Sequence, residues 1–319
     1  VFSAVVFGYS EVGTRCLQVL LEHGVEVPLV FTHQDQPGEQ RWFGSVAELA
    51  RAQGVRAVTP AHPAAPQWLE QIRRLAPDYI LACYYRSMLP SQLLGLARWG
   101  ALNMHGSLLP RYRGRAPVNW AIANGETDTG ATLHYMVERP DAGPIVAQQA
   151  VAIGPNDDAL AVSMAVAAAA ARVLTAALPV MAAGPPPGRP MDLALGSYFG
   201  GRRPEDGRIR PDWPGMRVHA MIRAVAPPFP GAFLEVEGRR VVFASSHLTG
   251  EPPRYPQAAP CLYALQGRLY LECQDGIRLL IGAVIIEGTA LDGREFQERF
   301  GPQPWRLNVS LPAMDKERS

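Results

Sequence analysis

The sequence predicts an α/β fold: a Rossmann-like, mostly parallel sheet with helices on both faces, followed by a small all-β, OB-like barrel. Three observations predict it. Short β-branched runs alternate with helical patterns through the first half, as βαβ units on a parallel sheet do. The stretch 184–190 then breaks the pattern, because four of its seven residues are proline and cannot continue a helix. Beyond about residue 206 the runs become short and alternating, separated by Gly and Pro turns, the signature of an all-β module. With 319 residues the chain suits two domains. The expected division is an α/β domain over 1–190, a linker over 191–205, a β domain over 206–306 and a frayed tail over 307–319.

The elements follow in order. Residues 4–8 read as the first strand and 11–23 as a helix with Val12, Cys16, Val19 and Leu20 on one face. Strand 27–32 precedes a Gln-, Gly- and Pro-rich loop, then helix 45–53, strand 55–59 and helix 67–76, which Pro77 closes. Strand 78–83 ends in the pair Tyr84-Tyr85, and helix 90–97 leads to strand 101–104. Residues 131–137 and 144–152 read as paired strands around the turn 138–143, and 157–183 as a long helix. In the second half, strands are expected at 232–236, 240–246, 261–265, 269–273 and 277–287.

Composition excludes several classes. Hydrophobic residues make up 48% and charged residues 18%, which rules out a disordered chain. Thirty basic and 29 acidic residues leave a net charge of +1, so a polyanion would need a local basic patch. Cys16, Cys83, Cys261 and Cys273 form no CxxC pair and have no His at zinc spacing, and read as buried free thiols of a reducing cytoplasm. No metal site is expected. Residues 1–8 lack the basic region of a signal peptide. The Ala-rich run 159–183 comes nearest to a membrane span, but Ser163, Arg172 and Thr175 interrupt it, so it reads as a packed helix.

The first βα turn, Gly8-Tyr-Ser-Glu-Val-Gly13, is not GxGxxG. Without the three glycines a pyrophosphate cannot approach the helix N-terminus, so a dehydrogenase is disfavoured and no NAD is expected. The informative stretch begins at Asn103-Met-His105 and runs through Ser107-Leu-Leu-Pro110 to Trp120. Asn103 and His105 are two apart at the carboxyl end of a strand and so share one face, where ligands of open α/β sheets gather. An amide that can bind an oxyanion beside an imidazole that can take a proton suits acyl transfer. Asp141, in the turn between the paired strands, is the candidate carboxylate to fix the tautomer of His105 and stabilise its cation. A carboxylate so placed is expected to raise the pKa of His105. An isolated His would be read as a satisfied core histidine; this pattern is not. Tyr9, Ser10 and Glu11 reach the same sheet end and either border a substrate or simply pack the turn. Pro227-Pro-Phe-Pro230-Gly231 reads as a domain-packing turn.

Asn103-Met-His105, Ser107-Leu-Leu-Pro110 and Asp141-Ala-Gly143 resemble the signature of the 10-formyltetrahydrofolate-dependent formyltransferases. The resemblance covers nearly the whole chain. It implies that Asn103, His105 and Asp141 are the catalytic set and that 10-formyltetrahydrofolate is the co-substrate. It further implies that Ser87, Met88 and Leu89 line the folate pocket, with Arg115 and the turn Val137, Glu138, Arg139, Pro140 and Asp141 as its other contacts. Methionyl-tRNA formyltransferases of the family have Ala after the His and a Gly-Ala-Ala-Pro run. Here Gly106 and the stretches 113–120 and 124–130 instead resemble the sugar-nucleotide branch, typified by the formyltransferase domain of bifunctional polymyxin-resistance proteins. Further matches are Phe31-Thr-His33, Pro37-Gly-Glu39, Phe43-Gly-Ser45-Val46, Tyr84-Tyr-Arg86, Pro230-Gly-Ala-Phe233 and Phe199-Gly-Gly-Arg202-Arg203, the last with one glycine inserted.

That branch formylates UDP-4-amino-4-deoxy-L-arabinose for lipid A modification and polymyxin resistance. It implies a cytoplasmic enzyme with a decarboxylase partner, fused or separate, and no nucleic acid or membrane span. The alternatives are a methionyl-tRNA formyltransferase, or a formyltetrahydrofolate hydrolase or folate-binding homologue. From Glu205 to Ser319 there are 14 acidic and 14 basic residues, so the β module lacks the positive charge that tRNA favours.

Overall fold

Near-continuous apolar runs are what strands covered on both faces require, and five such strands line up in parallel: β1 (Ser3–Gly8), β2 (Glu26–Phe31), β3 (Ala57–Val58), β4 (Tyr79–Cys83) and β5 (Gly100–His105). The computed structural model describes residues 2–35, 41–255 and 260–307; the Pro37-Gly38-Glu39 motif and residues 308–319 of the expected tail lie outside them. A short ribbon strand, β6 (Arg113–Gly114), follows β5. Then β7 (Asp128–Tyr135) runs antiparallel to β5, and β8 (Ile145–Ala152) antiparallel to β7. The seven-stranded sheet has the order β3-β2-β1-β4-β5-β7-β8.

The intervening helices are α1 (Ser10–Glu22), α2 (Val46–Ala52), α3 (Pro66–Leu75), α4 (Ser91–Leu94), α5 (Pro117–Ala123) and α6 (Ala159–Ala183). Strand alternation sends Val5, Phe7, Leu29, Phe31, Ile80 and Ala82 to one face, where Ile72 of α3 and Leu93 of α4 join their cluster. Tyr79 points the opposite way, and its hydroxyl donates to the carbonyls of Met181 (3.1 Å) and Gly184 (2.6 Å) at the end of α6. By length and a mean hydropathy of 1.8, α6 is the one described helix that could cross a membrane. Its Val162, Val166, Ala170, Val173, Leu174 and Met181 are buried in the fold, as a core helix requires. All four cysteines are buried free thiols.

Residues 1–118, 128–153 and 161–201 form one compact unit, and 119–127, 154–160 and 202–319 a second. Much of the stretch read as a linker therefore belongs to the first unit. Arg189 bridges to Ile145, and β9 (Tyr198–Phe199) pairs in parallel with β6.

In the second unit, α7 (Gly215–Val225) precedes two antiparallel sheets. One has β10 (Ala232–Val236), β11 (Arg239–Phe243), β16 (Val284–Ile286) and β17 (Thr289–Leu291); the other has β12 (Ser246–Leu248), β13 (Cys261–Leu265), β14 (Arg268–Glu272), β15 (Arg278–Ile281) and β18 (Trp305–Arg306). The expected strand 277–287 is two strands, β15 and β16, in different sheets, with Gly282 between them. Helix α8 (Gly293–Phe300) was not expected from the sequence. Its N-cap is a capping box, with Asp292 accepting from the N–H groups of Arg294 and Glu295 while Glu295 accepts from that of Asp292.

Candidate active site

The carboxyl end of β5 carries Asn103 and His105 on one face, and antiparallel pairing sets Asn103 opposite His134 and His105 opposite Thr132 on β7. The chain after β5 is tied down. Thr132 Oγ1 donates to the Ser107 carbonyl (2.6 Å), the Ser107 hydroxyl donates to the Arg111 carbonyl (2.7 Å), and Gln148 donates to the Leu109 carbonyl (2.9 Å). This returns Tyr112 to β5, where its carbonyl accepts from His105 Nε2 at 2.8 Å. Asp141, in the β7–β8 turn at φ 50°, accepts from the Gly114 N–H at 2.8 Å.

A carbonyl only accepts, so Nε2 of His105 carries the hydrogen and Nδ1 of the neutral ring carries the lone pair. Nδ1 lies 3.7 Å from Asp141 Oδ1, beyond hydrogen-bond reach. The sequence expectation is corrected here: a peptide carbonyl, not the carboxylate, fixes the tautomer. Asp141 is left to stabilise the imidazolium through space. The expected pKa direction is also corrected. His105 is only 6% exposed, and burial pushes its pKa below the ordinary value. Asp141 and the Tyr112 bond pull it up without overcoming that, and His134 adds to the lowering. For Asp141 burial acts to raise the pKa, but His105, then His134 and the Gly114 N–H, outweigh it and hold the carboxyl well below the usual carboxylate range.

His134 is the residue that sequence reasoning missed. Its Nδ1 donates to the Tyr135 carbonyl (2.8 Å), so the neutral ring offers Nε2 as an acceptor to Asn103 Nδ2 at 3.1 Å. The second amide hydrogen of Asn103 goes to Asp141 Oδ1 at 3.3 Å. His134 thereby fixes which way the Asn103 amide faces. Its only sequence signal was a polar residue at an inward position of an apolar strand.

Ser87, Met88, Leu89 and Glu138 line a cavity of about 600 Å³, together with His62 and Pro63 from the loop before α3. Met88 is 70% exposed and Leu89 buried, so only Leu89 belongs to the core. Val137, Glu138 and Arg139 are exposed, with Pro140 and Asp141 half-buried. Arg115 is exposed and its guanidinium donates to the Arg86 carbonyl at 2.9 Å. Tyr9, Ser10 and Glu11 sit at the end of β1. Tyr9 is buried edge-on against His33 and Phe43 beneath the Arg86 guanidinium. The Glu11 carboxylate accepts from the Gly44 N–H (3.1 Å) and from Arg15 (2.7 Å), and the Ser10 carbonyl from Thr14 (3.1 Å). These three are held by local packing. A second cavity, between β8 and Pro187–Arg189, contains none of the expected site residues.

Residues 4–178 match the family described as formyl transferase, and residues 202–301 match its C-terminal domain. The chain belongs to the formyl transferase family. Three solved structures share the fold of this formyl transferase. One is the N-formyltransferase from Helicobacter canadensis in complex with folinic acid and dTDP-3-aminofucose, with 18% identity and TM-score 0.68, covering 88% of this chain and 99% of that one. Another is WlaRD, a sugar 3N-formyl transferase solved with dTDP and 5-N-formyl-THF, with 17% identity and TM-score 0.67, covering 88% and 97%. HypX from Aquifex aeolicus in complex with tetrahydrofolic acid has 18% identity and TM-score 0.65; this formyl transferase covers 94% of its own length and 47% of HypX.

Proposed function

We propose that this formyl transferase moves the formyl group of 10-formyltetrahydrofolate to the 4-amino group of a UDP-linked amino sugar, with UDP-4-amino-4-deoxy-L-arabinose as the expected acceptor. The observation that carries the reading is the spare Nδ1 of His105, buried, with its tautomer fixed by the Tyr112 carbonyl and with Asp141 Oδ1 3.7 Å away. His105 Nδ1 takes a proton from the acceptor amine as the nitrogen attacks the formyl carbon, and Asp141 stabilises the imidazolium. Asn103 supplies a donor to the oxyanion by exchanging its longer bond, the one to Asp141. The new C–N bond replaces the one to N10, which receives the proton, so a formamide and tetrahydrofolate leave. The donor is assigned to the cavity of Ser87, Met88, Leu89 and Glu138, whose size and apolar walls suit a pterin. The lipid A and polymyxin-resistance role, the cytoplasmic location and a decarboxylase partner belong to the same proposal.

The sugar-nucleotide acceptor is supported by the stretches 113–120 and 124–130, and by the dTDP-3-aminofucose and dTDP of two structural relatives. A diphosphate can be held by a few arginines and backbone amides, whereas tRNA would release many counterions and make binding steeply salt-dependent. The test is the initial rate with each acceptor at two salt concentrations and fixed 10-formyltetrahydrofolate, with products weighed by mass spectrometry. A formylated UDP-amino sugar and weak salt dependence are expected. Formyl-methionyl-tRNA with an inert sugar nucleotide, or formate without any formamide, overturns the reading.

A further inference from the structure

The peptide groups that orient the catalytic pair lie two residues apart: the Tyr112 carbonyl on His105 and the Gly114 N–H on Asp141. What holds those peptides is the chain that leaves α6. The Tyr112 N–H donates to Ser197 Oγ at 2.9 Å and the Arg113 N–H to the Ser197 carbonyl at 3.0 Å. The Arg115 N–H donates to the Phe199 carbonyl at 2.9 Å, and the Ser197 N–H returns a bond to the Pro110 carbonyl at 3.3 Å. Phe199 stacks on Tyr112 with ring centroids 5.1 Å apart and planes 10° from parallel. The geometry is demanding. Tyr112 has φ 57° and Gly114 φ 97°, and a side chain on Gly114 would fall on the Phe199 carbonyl. Tyr112, 7% exposed, is thus held in a left-handed conformation by a partner about eighty-five positions away in sequence.

We propose that residues 196–199 are a positioning strap for catalysis: Ser197 and β9 set the Tyr112 and Gly114 peptides, which in turn set the tautomer of His105 and the orientation of Asp141. Ser197 is a positioning residue that acts through Tyr112. This rests on the assignment of His105 as the base.

Ser197→Ala deletes the acceptor for the Tyr112 N–H and leaves the rest of the ribbon in place. The expected result is a fall in kcat of about tenfold, below the ~10² that a 1 Å misplacement can cost, with KM for both substrates within about twofold. A loosened carbonyl bond also has a signature that simple destabilisation lacks. The Tyr112 bond raises the pKa of His105, so weakening it moves the acidic limb of the pH–rate profile to lower pH. Among the described residues, Asp141 in the β7–β8 turn and His134 on β7 are the titratable groups facing His105, and neither is altered by the substitution. Ser197→Thr, which restores a hydroxyl, is expected to recover both kcat and the limb. Leu195→Ala, just outside the strap, removes a side chain that is 75% exposed and leaves the ribbon bonds in place, so it should match the parent. An unchanged kcat in folded Ser197→Ala, or a lower kcat with an unmoved limb, overturns the strap. His105→Ala, run in parallel, separates the two ideas. Near-parental turnover there removes the base and the strap with it, whereas an inactive His105→Ala beside a normal Ser197→Ala removes the strap alone.

Discussion

His105 in the first unit and His219 in the second are both buried, and their surroundings differ in one respect. His219 on α7 is fully enclosed and uses both ring nitrogens: Nδ1 meets the Ser246 hydroxyl and Nε2 the Pro155 carbonyl, each at 2.8 Å. Burial foremost, with help from Arg223 and His247, pushes its pKa down to about 4. His105 is nearly as buried and also shifted down, yet only one nitrogen is bonded and the other faces Asp141 across 3.7 Å. The Pro155 carbonyl does for His219 what the Tyr112 carbonyl does for His105. The difference is the second nitrogen. A structural histidine spends its whole bonding capacity on the fold, whereas a base must keep one lone pair in reserve and a carboxylate near enough to stabilise the charge it will acquire.

The contrast breaks first at turnover. His105→Ala is expected to lose roughly 10²–10⁴-fold in kcat, the scale of a missing general base, and to cost less stability than losing both ring bonds at His219. His219→Ala is expected to do the reverse: turnover at the parental level, and a stability loss of about 1–3 kcal/mol from the buried hydroxyl and carbonyl left without a partner. Steady-state rates and denaturant curves on both variants decide the matter, and equal behaviour of the two would end the comparison. Asn103→Ala should lose about 10²–10³-fold, as removal of an oxyanion donor does. An unaffected rate in that variant would leave the Asn103 amide as a structural partner of His134.

The next effect is a shift rather than a loss. If His105 is the proposed base, its neutral imidazole is the active form, so kcat/KM should rise with pH through the His105 pKa, a limb that burial places below the ordinary 6.5. Asp141 pulls the pKa upward, so Asp141→Asn should move the limb to still lower pH while reducing the plateau. A pH–rate profile for this variant with an unmoved limb removes Asp141 from the charge balance of His105. The smallest effect belongs to the residue after His105. A methyl group on Gly106 would fall on the Tyr84 hydroxyl, so Gly106→Ala should cost about 1–3 kcal/mol of stability as overpacking does. Most of that should disappear in a Tyr84→Ala background, which a double-mutant cycle measures.

How much of this was legible in the sequence follows the range of each interaction. The alternation of strands and helices, and the Asn103–His105 pair on one face of β5, depend on local periodicity and could be read directly. His134 could not, because its role comes from the antiparallel register that sets it opposite Asn103, 31 residues away. The tautomer lock was invisible for another reason: it is made by the main chain of Tyr112, and no side-chain pattern encodes it. The sign of the His105 shift needed burial weighed against charge, and the sequence displayed only the charge. Helices α5 and α8 did have signals, Pro117 as the first residue of one and the Asp292/Glu295 capping box of the other. The surrounding Gly- and Pro-rich context masked them.

That the groups orienting His105 and Asp141 are peptide atoms has a consequence for how this site tolerates change. Alanine scanning cannot delete a carbonyl or an N–H, so a scan over residues 112–114 would report the Tyr112–Phe199 stack and the lack of room for a side chain at Gly114, and would miss the two bonds themselves. Homologues could change the side chain at position 113 while the same two bonds persist. What they could not accept is a change in chain length: one residue gained or lost between Pro110 and Gly114 would rotate the Tyr112 carbonyl or the Gly114 N–H away from its partner. The segment is therefore better probed by insertion and deletion than by substitution.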